Sequence, residues 1–253
     1  MVNALILAGE ENTNNYKHNK LGVPVKALIN IHGKPMVQYV IDTLKKCKLI
    51  DKIGVIGPYD KLYHLLKDKV DYIIDGKGLI IDNVIEGVAY LGTEKYLLIC
   101  TCDIPMLTVE SVTDFIVKAQ STQADLCYPI VDKTINDRKL PGIERTYTKI
   151  KEGTFTGGNL FYVHPNVIDK CCEKARQLIA YRKNVFKMAK ILGWKALILL
   201  FTKRLTIKQV ESRFSQIFNV NARAIISDYP ELANDVDKPS DLALIKKQLR
   251  IEN

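Results

Sequence analysis

The chain has 253 residues, of which 47% are apolar and 26% charged, and these values are ordinary for a globular protein with a full hydrophobic core. Its first apolar segment, VNALILA, follows Met1 without the basic region of a secretory signal, and the longest apolar run, ALILLF at 196–201, is too short to cross a bilayer. Composition therefore argues against a secreted precursor and an integral membrane protein, and we expect a cytoplasmic protein.

The net charge of +9 is unevenly distributed along the chain. Residues 170–213, called the basic segment below, contain twelve Lys and Arg against two acidic residues, Glu173 and Glu211. The remainder of the chain is therefore close to neutral, and any function of the positive surplus is to be sought in this segment.

Six cysteines occur without the C-x-x-C pairs or the histidine-rich partners of a zinc site. In a large chain that has no visible secretory signal, free thiols in a reducing compartment are a better interpretation than a disulfide framework.

Up to about residue 130, strand-like segments alternate strictly with helix-like ones. The strand-like segments are VNALILA, KIGVIG, VDYIID, KYLLICT and ADLCYPIV. The helix-like segments between them are KPMVQYVIDTLKKC, YDKLYHLLKD, IIDNVIEGVAYLG and VESVTDFIVKAQ. This alternation predicts right-handed βαβ crossovers, and so a mostly parallel, Rossmann-like sheet inside a three-layer α/β/α architecture.

The second half is less regular. GIERTYTKI and GNLFYVH are strand-like and are candidates for antiparallel pairing, NARAIIS is a candidate strand, and KPSDLALIKKQL is a candidate closing helix. Between the last two strand-like segments, residues 165–217 are predicted to be helical and contain the basic segment. We expect a single domain, 1–253, with a basic helical insertion at 165–217.

Polar residues follow several of the predicted strands, at the edge where parallel sheets bind their ligands. They are Ala8-Gly9 after the first strand, Asp75 at the end of the third and Asp103 in CTCDIPML after the fourth. A carboxylate at the position of Asp103 is suited to Mg²⁺, which favours one or two carboxylates together with substrate phosphates. The alternative is a solvated aspartate in a turn.

Three further motifs have both a functional and a structural interpretation. Asp235 and Asp237 would point to one side of an extended segment and complete an ion site with Asp103, or Asp237 simply belongs to the turn before a helix. Lys20 and Lys26 follow the first loop and suit phosphate oxygens, or they are surface lysines.

The motif TGGN is the third of these. Gly157 and Gly158 permit close approach of a ligand to the backbone and Asn159 offers a donor and an acceptor, or the motif is a hairpin or bulge.

Taken together, these motifs resemble the MobA-like nucleotidyltransferases, the superfamily of molybdenum-cofactor guanylyltransferases and sugar-phosphate nucleotidylyltransferases. The matching elements, in the order of the family, are LILAG, KLGVPVKAL, GKPM, CDIPML, TGGNLFYV and DVDKPSDL, and they span residues 4–242. The resemblance implies a GT-A-like fold. This sequence departs from the family in its first loop, where Glu10 replaces a glycine and the connecting piece is longer and more polar.

The resemblance also implies roles for individual residues. The nucleotide would be bound by backbone groups of the first strand's end, by the two lysines and by two aspartates: Leu7, Ala8, Gly9, Lys20, Lys26, Asp75 and Asp103. The catalytic residues would be Lys26 and Asp103, and Mg²⁺ would be held by Asp103 with Asp235 or Asp237. Gly158 and Asn159 would face the acceptor.

The implied reaction transfers a nucleoside monophosphate from an NTP, with GTP or CTP favoured, to a small anionic acceptor, and it releases pyrophosphate. In such a reaction the protein positions the reactants and neutralises charge, without a protein nucleophile.

The basic segment is unlike the compact members of this family. We expect it to shape the acceptor side, with Arg182, Lys183 and Lys187 as candidates for binding an anionic group, and the alternative is a solvated helix face. The run ALILLF, next to Trp194, is expected to lie in the core because of its strand-like length, with an interfacial membrane helix as the alternative.

Two other classes of function remain open. The altered first loop is compatible with a non-catalytic nucleotide sensor, and the basic pI of about 9.1 with a nucleic-acid binder. We expect no nucleic acid as partner, because the basic segment has no RNA-binding motif or aromatic platform. A monomer and a homodimer are both compatible with the sequence.

Overall fold

The structure is a computed structural model, and the residues that it describes are 1–9, 21–23, 25–181, 191 and 193–251. Four residues with predicted roles, Lys20, Arg182, Lys183 and Lys187, lie outside the described residues, as does Glu10.

The strands are numbered in chain order. They are β1 (Val2–Leu7), β2 (Asn30–Ile31), β3 (Lys34–Pro35), β4 (Ile50–Gly57), β5 (Tyr72–Asp75), β6 (Leu97–Thr101), β7 (Leu126–Asp132), β8 (Thr148–Ile150), β9 (Gly153–Gly157), β10 (Leu160–Val163) and β11 (Ala222–Ser227). The helices are α1 (Met36–Lys46), α2 (Tyr59–Leu66), α3 (Ile80–Leu91), α4 (Val109–Ser121), α5 (Lys133–Lys139), α6 (Ile168–Tyr181), α7 (Trp194–Phe201), α8 (Ile207–Phe218) and α9 (Pro239–Ile251).

In the described part of the chain, nine strands form one sheet in which β5, β4, β1, β6, β10 and β7 are successive neighbours. β11 pairs with the other side of β7, and β9 and β8 extend the sheet beside the end of β7. β1, β4, β5 and β6 run parallel, as do β7 and β11, while β10 is antiparallel to both β6 and β7. The mostly parallel sheet and the antiparallel pairing of GNLFYVH are confirmed.

The sheet is buried on both faces. Along β1 the side chains alternate, because Ala4 and Ile6 join one hydrophobic cluster and Leu5 joins another. The first cluster contains residues of α1, α2 and α4, and the second contains residues of α3 and α6. The predicted three-layer α/β/α architecture is confirmed.

The free thiols expected from the sequence are also found, since all six cysteines are unpaired and four of them are buried. Burial raises the pKa of Cys100 to about 12, so this thiol remains protonated near neutral pH.

Two expectations from the sequence are wrong. In GIERTYTKI only Thr148–Ile150 forms a strand, and the preceding residues are irregular because they lead Arg145 away from the sheet to a carboxylate, as described below. The run ALILLF lies in α7, which has no buried residue.

Helix α7 is exposed because only one side of it meets the protein. Ala196, Leu199 and Leu200 pack against a small cluster around β8 and β9, whereas Trp194, Ile198 and Phe201 are more than half exposed. Positions 194, 198 and 201 share one face of a helix, so the apolar run has two apolar sides and the protein covers one of them.

None of the described helices is long and apolar enough to cross a lipid bilayer.

Three strand ends approach one another closely where β1, β4 and β5 finish. A Cβ atom on Gly57 would lie 2.6 Å from the carbonyl oxygen of Ala8, and the N–H of Gly76 donates to the carbonyl of Gly57 at 2.9 Å. Glycine at 57 therefore lets the chain that leaves β1 pass over the end of β4.

We predict that Gly57→Ala destabilises the protein by about 1–3 kcal/mol, because the clash is with backbone that has no rotamer to change. Gly54→Ala on the same strand is the matched control, since its Cβ would meet only side-chain atoms at 3.3 Å or more. Urea denaturation measures both, and equal effects of the two substitutions would contradict the prediction.

Candidate active site

Asp103 lies where the chain leaves the sheet after β6. The N–H of Cys102 donates to the carbonyl of Leu7 at 3.2 Å, which ties this exit to the end of β1. Cys102 and Ile104 are both buried, so the backbone on either side of Asp103 is anchored in the core. Asp103 is itself only 9% exposed and lies at the carboxyl edge of the parallel strands.

Asp235 and Asp237 reach the same edge because Val236 fixes the chain between them. Val236 is fully buried in a cluster that includes Ile245 of α9, and its N–H donates to the carbonyl of Asp103 at 2.9 Å. In extended backbone, side chains at i and i+2 point to the side opposite to that of the residue between them. Val236 is accordingly buried in the core, while the carboxylates on either side of it lie within 4.8 Å of a carboxylate oxygen of Asp103.

Lys26 begins a short 3₁₀ turn, Lys26–Leu28, that is held in place by the buried neighbours Val25 and Ala27. Its Nζ donates to Asp103 Oδ2 at 2.6 Å and to Asp237 Oδ1 at 2.8 Å. The structure thus brings together a lysine that follows the first loop with carboxylates from the middle and the end of the chain.

Each of Asp103, Asp235 and Asp237 offers one ligand atom, and these atoms lie within 4.8 Å of one another. We call these three residues the acidic cluster. Arg145 donates from its guanidinium to Asp235 Oδ1, and a second nitrogen of the same group lies 3.3 Å from the Asp235 carbonyl oxygen. Three carboxylates therefore face two cations, Lys26 and Arg145, which leaves an excess of one negative charge when all are ionised.

The charges in this cluster shift the pKa values of its members. Burial acts to lower the pKa of Lys26, but attraction to Asp103 and hydrogen bonds to Asp103 and Asp237 raise it above the ordinary value. Burial and the nearby Asp103 raise the pKa of Asp235 even though Arg145 opposes them. Burial also acts to raise the pKa of Asp237, but the bond from Lys26 makes the net shift downward.

The donor set of the acidic cluster fits Mg²⁺. Asp103 Oδ1 is buried and accepts no hydrogen bond from any residue in the described ranges, although a buried carboxylate oxygen normally has a partner. All three residues offer hard oxygen donors, and the excess negative charge favours a divalent cation. A cation at this position would satisfy the oxygen that lacks a partner.

Asp241 shapes the turn that carries Asp237. Its Oδ2 accepts from the N–H groups of Asp237 and Lys238, both at 3.2 Å, just before α9 begins at Pro239. A carboxylate that accepts from backbone at a helix N-terminus stabilises the helix start. Asp237 thus belongs to the turn before a helix, as one interpretation from the sequence has it, and its side chain also reaches Lys26. Its part in an ion site with Asp103 stays a prediction.

Close packing against neighbouring residues is enough to explain why Gly157 and Gly158 are glycines, without a ligand. A Cβ atom on Gly157 would lie 2.3 Å from the hydroxyl of Tyr128, and one on Gly158 would lie 2.7 Å from Pro129 Cγ. Asn159 Nδ2 lies 3.5 Å from Asp235 Oδ1, which links this segment to the acidic cluster. The role of Gly158 and Asn159 in acceptor binding stays a prediction.

At the end of β1, two of the backbone groups expected near the nucleotide already have partners. The carbonyl of Leu7 accepts from Cys102, and the N–H of Ala8 donates to Ile56 at 2.8 Å. Gly9 lies against Asn83, because a Cβ at this position would be 3.0 Å from Asn83 Nδ2. The segment is thus rigidly attached to the sheet up to the point where the first loop begins.

Asp75 lies at the same edge of the sheet but not in the acidic cluster. It ends β5, which is two strands away from β1, and its exposed carboxylate is 3.5 Å from the N–H of Tyr59 at the start of α2. Its predicted contact with a nucleotide stays a prediction.

Arg145 and Asp241 belong to this site, and sequence reasoning did not identify them. Asp241 had a usable signal, since an aspartate two residues after a proline is common in the first turn of a helix. Arg145 had none, because it lies in an irregular segment 90 residues from its partner Asp235.

The sequence pattern of the MobA-like NTP transferase domain matches residues 4–189 of the chain. The resemblance inferred from the motifs is therefore confirmed. No curated protein sequence matches the chain.

Among solved structures, a hypothetical transferase from Thermus thermophilus is 32% identical, covers 95% of this chain and 99% of its own, and has a TM-score of 0.82. A CMP:2-keto-3-deoxy-manno-octonic acid synthetase complexed with CTP has a TM-score of 0.64 at 11% identity, over 100% of both chains. Molybdopterin-guanine dinucleotide biosynthesis protein A from Archaeoglobus fulgidus has a TM-score of 0.56 at 11% identity, also over 100% of both chains. These last two share the fold, which confirms the predicted GT-A-like class.

We predict that Arg145→Met destabilises the protein by about 3 kcal/mol, because it leaves the buried Asp235 carboxylate without its partner. Asp235→Asn added to this variant should restore part of the loss, so that the two single effects do not add. Urea denaturation in the presence of a chelator measures all three variants.

The exposed pair Lys95–Asp51 provides the control for this double-mutant cycle. Its coupling free energy should be much smaller than that of Arg145 and Asp235, since solvent screens exposed charges. Additive effects at Arg145 and Asp235 would contradict the prediction.

Proposed function

The chain belongs to the MobA-like NTP transferase family and is a nucleotidyltransferase, and from this premise we propose that it is magnesium-dependent and acts on a phosphorylated or hydroxyl acceptor. The observation that carries the proposal is the meeting of Lys26 with Asp103 and Asp237 at the carboxyl edge of β1 and β6. Ligands of open parallel sheets bind at this edge.

In the proposed reaction an acceptor oxygen attacks the α-phosphorus of the NTP in line with the bond to the bridging oxygen of the β-phosphate. That bond breaks, pyrophosphate leaves with the bonding electrons, and the nucleoside monophosphate is joined to the acceptor. No covalent bond to the protein is required, so the residues of the site contribute position and charge.

Lys26 is the residue suited to the phosphates. Because its pKa is raised, it stays cationic across the physiological pH range and offers a permanent positive charge to phosphate oxygens. The buried backbone around it limits the positions that its ammonium group can take.

Asp103, with Asp235 and Asp237, would hold the Mg²⁺ ion. When bound, the ion would neutralise phosphate charge and polarise the phosphoryl oxygens. Arg145 holds Asp235 in place, and Val236 fixes the distance between the two carboxylates on either side of it.

The other residues complete the proposed nucleotide site. Backbone groups of Leu7, Ala8 and Gly9, together with Lys20 and Asp75, would contact the NTP. GTP and CTP are the favoured nucleotides, and one structure with the same fold is described as complexed with CTP.

On the acceptor side we propose Gly158, Asn159, Arg182 and Lys183. This assignment belongs to a wider proposal in which residues 1–253 form one domain and 165–217 are a basic insertion that contacts an anionic acceptor. The six free thiols support a cytoplasmic location.

The first test replaces Asp103 with Asn, which keeps the shape of the side chain and removes its charge. We expect pyrophosphate release from NTP, Mg²⁺ and a panel of phosphate monoesters to fall at least about 100-fold, because the site loses a negative group that holds its cation. Asp51→Asn, at an exposed carboxylate near the opposite edge of the sheet, should leave the rate unchanged.

Two outcomes would reject the proposal. Equal rates for Asp103→Asn and the wild type would show that Asp103 has no part in the chemistry. Binding of NTP without pyrophosphate release from any acceptor would instead identify the chain as a nucleotide sensor.

Nucleotide binding can be measured without knowledge of the acceptor. With Mg²⁺ and a nucleotide at about 100 times its Kd, the free energy of unfolding rises by about 2.7 kcal/mol, which corresponds to a Tm increase of about 5–10 °C. We expect the largest increase with CTP or GTP, and no increase with any of the four NTPs would contradict the proposed site.

The role of the basic segment is tested by charge reversal at Lys183. If the segment binds the acceptor, Lys183→Glu raises the KM of the acceptor more than that of the NTP. Equal effects on both KM values would remove Lys183 from the acceptor site.

A further inference from the structure

A large apolar cavity separates part of the sheet from its helical cover. Its volume is about 610 Å³. Strands β6 to β11 form its floor, and α3, α6 and α8 form its roof. Protein interiors contain few voids larger than a water molecule. A cavity of this volume falls instead within the range of small-molecule sites, about 300–1,000 Å³.

The exposure of Phe161 shows that the helices of the roof do not cover the sheet at this position. Phe161 lies on β10, which is an interior strand between β6 and β7, yet the residue is 42% exposed. Its ring stacks on that of Tyr128, with 4.8 Å between the ring centroids. A large aromatic side chain on an interior strand is normally covered by a helix, and here it faces the cavity.

The helices of the roof leave their apolar faces largely uncovered. In α6 only Ile168 is buried, and in α8 only Phe218, although both helices carry further apolar residues that line the cavity. On the other face of the sheet, α1 and α4 bury five or more residues each. The loosely packed α6 and α8 thus lie on the side with the cavity.

Among the described residues of the lining, the two charged side chains, Glu211 and Arg223, hydrogen-bond to backbone groups. Glu211 accepts from the N–H of Ala224 at 2.9 Å, and Arg223 donates to the carbonyl of Ala222 at 2.9 Å. The remaining lining is dominated by aliphatic and aromatic side chains. The chemistry of the walls therefore selects an apolar occupant rather than a sugar or a polyol.

The cavity ends near the strand edge that carries the candidate active site. Its lining includes Leu7 at the end of β1 and Gly157 at the end of β9. Tyr128, also in the lining, donates from its hydroxyl to the carbonyl of Gly158 at 2.8 Å, and the next residue, Asn159, lies 3.5 Å from Asp235. One end of a molecule in the cavity would thus lie close to the acidic cluster.

We propose that the acceptor is an amphiphilic phosphate monoester, whose alkyl or prenyl chain occupies this cavity while its phosphate lies at the acidic cluster. The inference rests on the proposed function, because it names the class of acceptor for that reaction. An engineered apolar cavity of about 150 Å³ binds benzene, so the volume here accommodates a chain of roughly ten carbons or more.

The reaction balances without a further reactant. An ionised oxygen of the monoester attacks the α-phosphorus of the NTP, a phosphorus–oxygen bond forms, and the bond to the β-phosphate breaks. The products are a nucleoside diphosphate ester of the apolar alcohol and pyrophosphate, and no proton has to be removed from the attacking oxygen.

Isothermal titration of the full chain in the presence of Mg²⁺ and without NTP tests the cavity directly. The ligands are inorganic phosphate, butyl phosphate and octyl phosphate, each below its micelle concentration. Burial of each methylene should tighten binding by up to about fourfold, so we expect octyl phosphate to bind at least about tenfold more tightly than butyl phosphate. Equal Kd values for the two esters would overturn the inference.

Variants of cavity residues then test whether the alkyl chain of the ligand binds in the cavity. Ala175→Trp fills the cavity from α6, and Ala180→Trp makes the same change at an exposed position of the same helix. We expect the first to abolish the preference for octyl phosphate and the second to keep it. Phe161→Gln, which makes the floor polar, provides a second variant should Ala175→Trp fail to fold, and it too should lose the preference.

Measurement of pyrophosphate release distinguishes a failure of this inference from a failure of the proposed function. Turnover with short phosphate monoesters, together with no preference for octyl phosphate in binding or KM, would leave the nucleotidyltransferase proposal intact and reject the amphiphilic acceptor. Tight binding of octyl phosphate without pyrophosphate release, in an enzyme that turns over another acceptor, would reject the acceptor role of the cavity. Turnover of octyl phosphate with a KM lower than that of butyl phosphate supports it.

Discussion

The geometry of the candidate active site depends on one backbone hydrogen bond, from the N–H of Val236 to the carbonyl of Asp103 at 2.9 Å. It joins the exit from β6 to a segment near the end of the chain, and burial of Val236 sets the direction of the carboxylates on either side. Without this contact, Asp103 would be a single carboxylate at a sheet edge. With it, three carboxylates share one small volume, and Lys26 and Arg145 are drawn to them. The cost of bringing like charges together is met by these two cations and, in the proposed function, by a metal ion.

The two faces of the sheet are built differently. On the face of α1, α2 and α4 the packing is dense, and it holds the strands whose ends form the site. On the other face, α6 and α8 do not pack closely against the sheet, and a cavity lies between them and the strands, near the strand ends that form the site. In the proposed function, the densely packed face holds the residues that bind the phosphates, and the cavity holds the apolar part of the acceptor. In the order of the sequence, the basic segment and the apolar α7 fall between the start of α6 and the end of α8.

Much of the fold was predictable because the signals are local. Continuous apolar strands such as β1 are buried on both faces of a parallel sheet, and amphipathic helices between them imply crossovers. Prediction failed where a local sequence pattern is compatible with two different structures. ALILLF has the length of a strand and the composition of a core element, yet it forms an exposed helix, because its position beside β8 and β9 gives it only one surface to cover. GIERTYTKI is largely irregular because Arg145 is drawn to Asp235.

By itself, the sequence determined the family, the order of the main strands and helices up to about residue 130, and the residue types that can hold a cation and phosphates. Asp103, Asp235, Asp237 and Lys26 are recognisable because their motifs lie next to strand ends and a helix start. Only the tertiary structure decided that these four meet, that Arg145 joins them and that the helices stand away from β10. The physical reason is distance along the sequence. Hydrophobic periodicity and turn chemistry act over a few residues. Charge pairing and cavity shape depend on segments far apart in the sequence, such as Lys26 and Asp237, which are 211 residues apart.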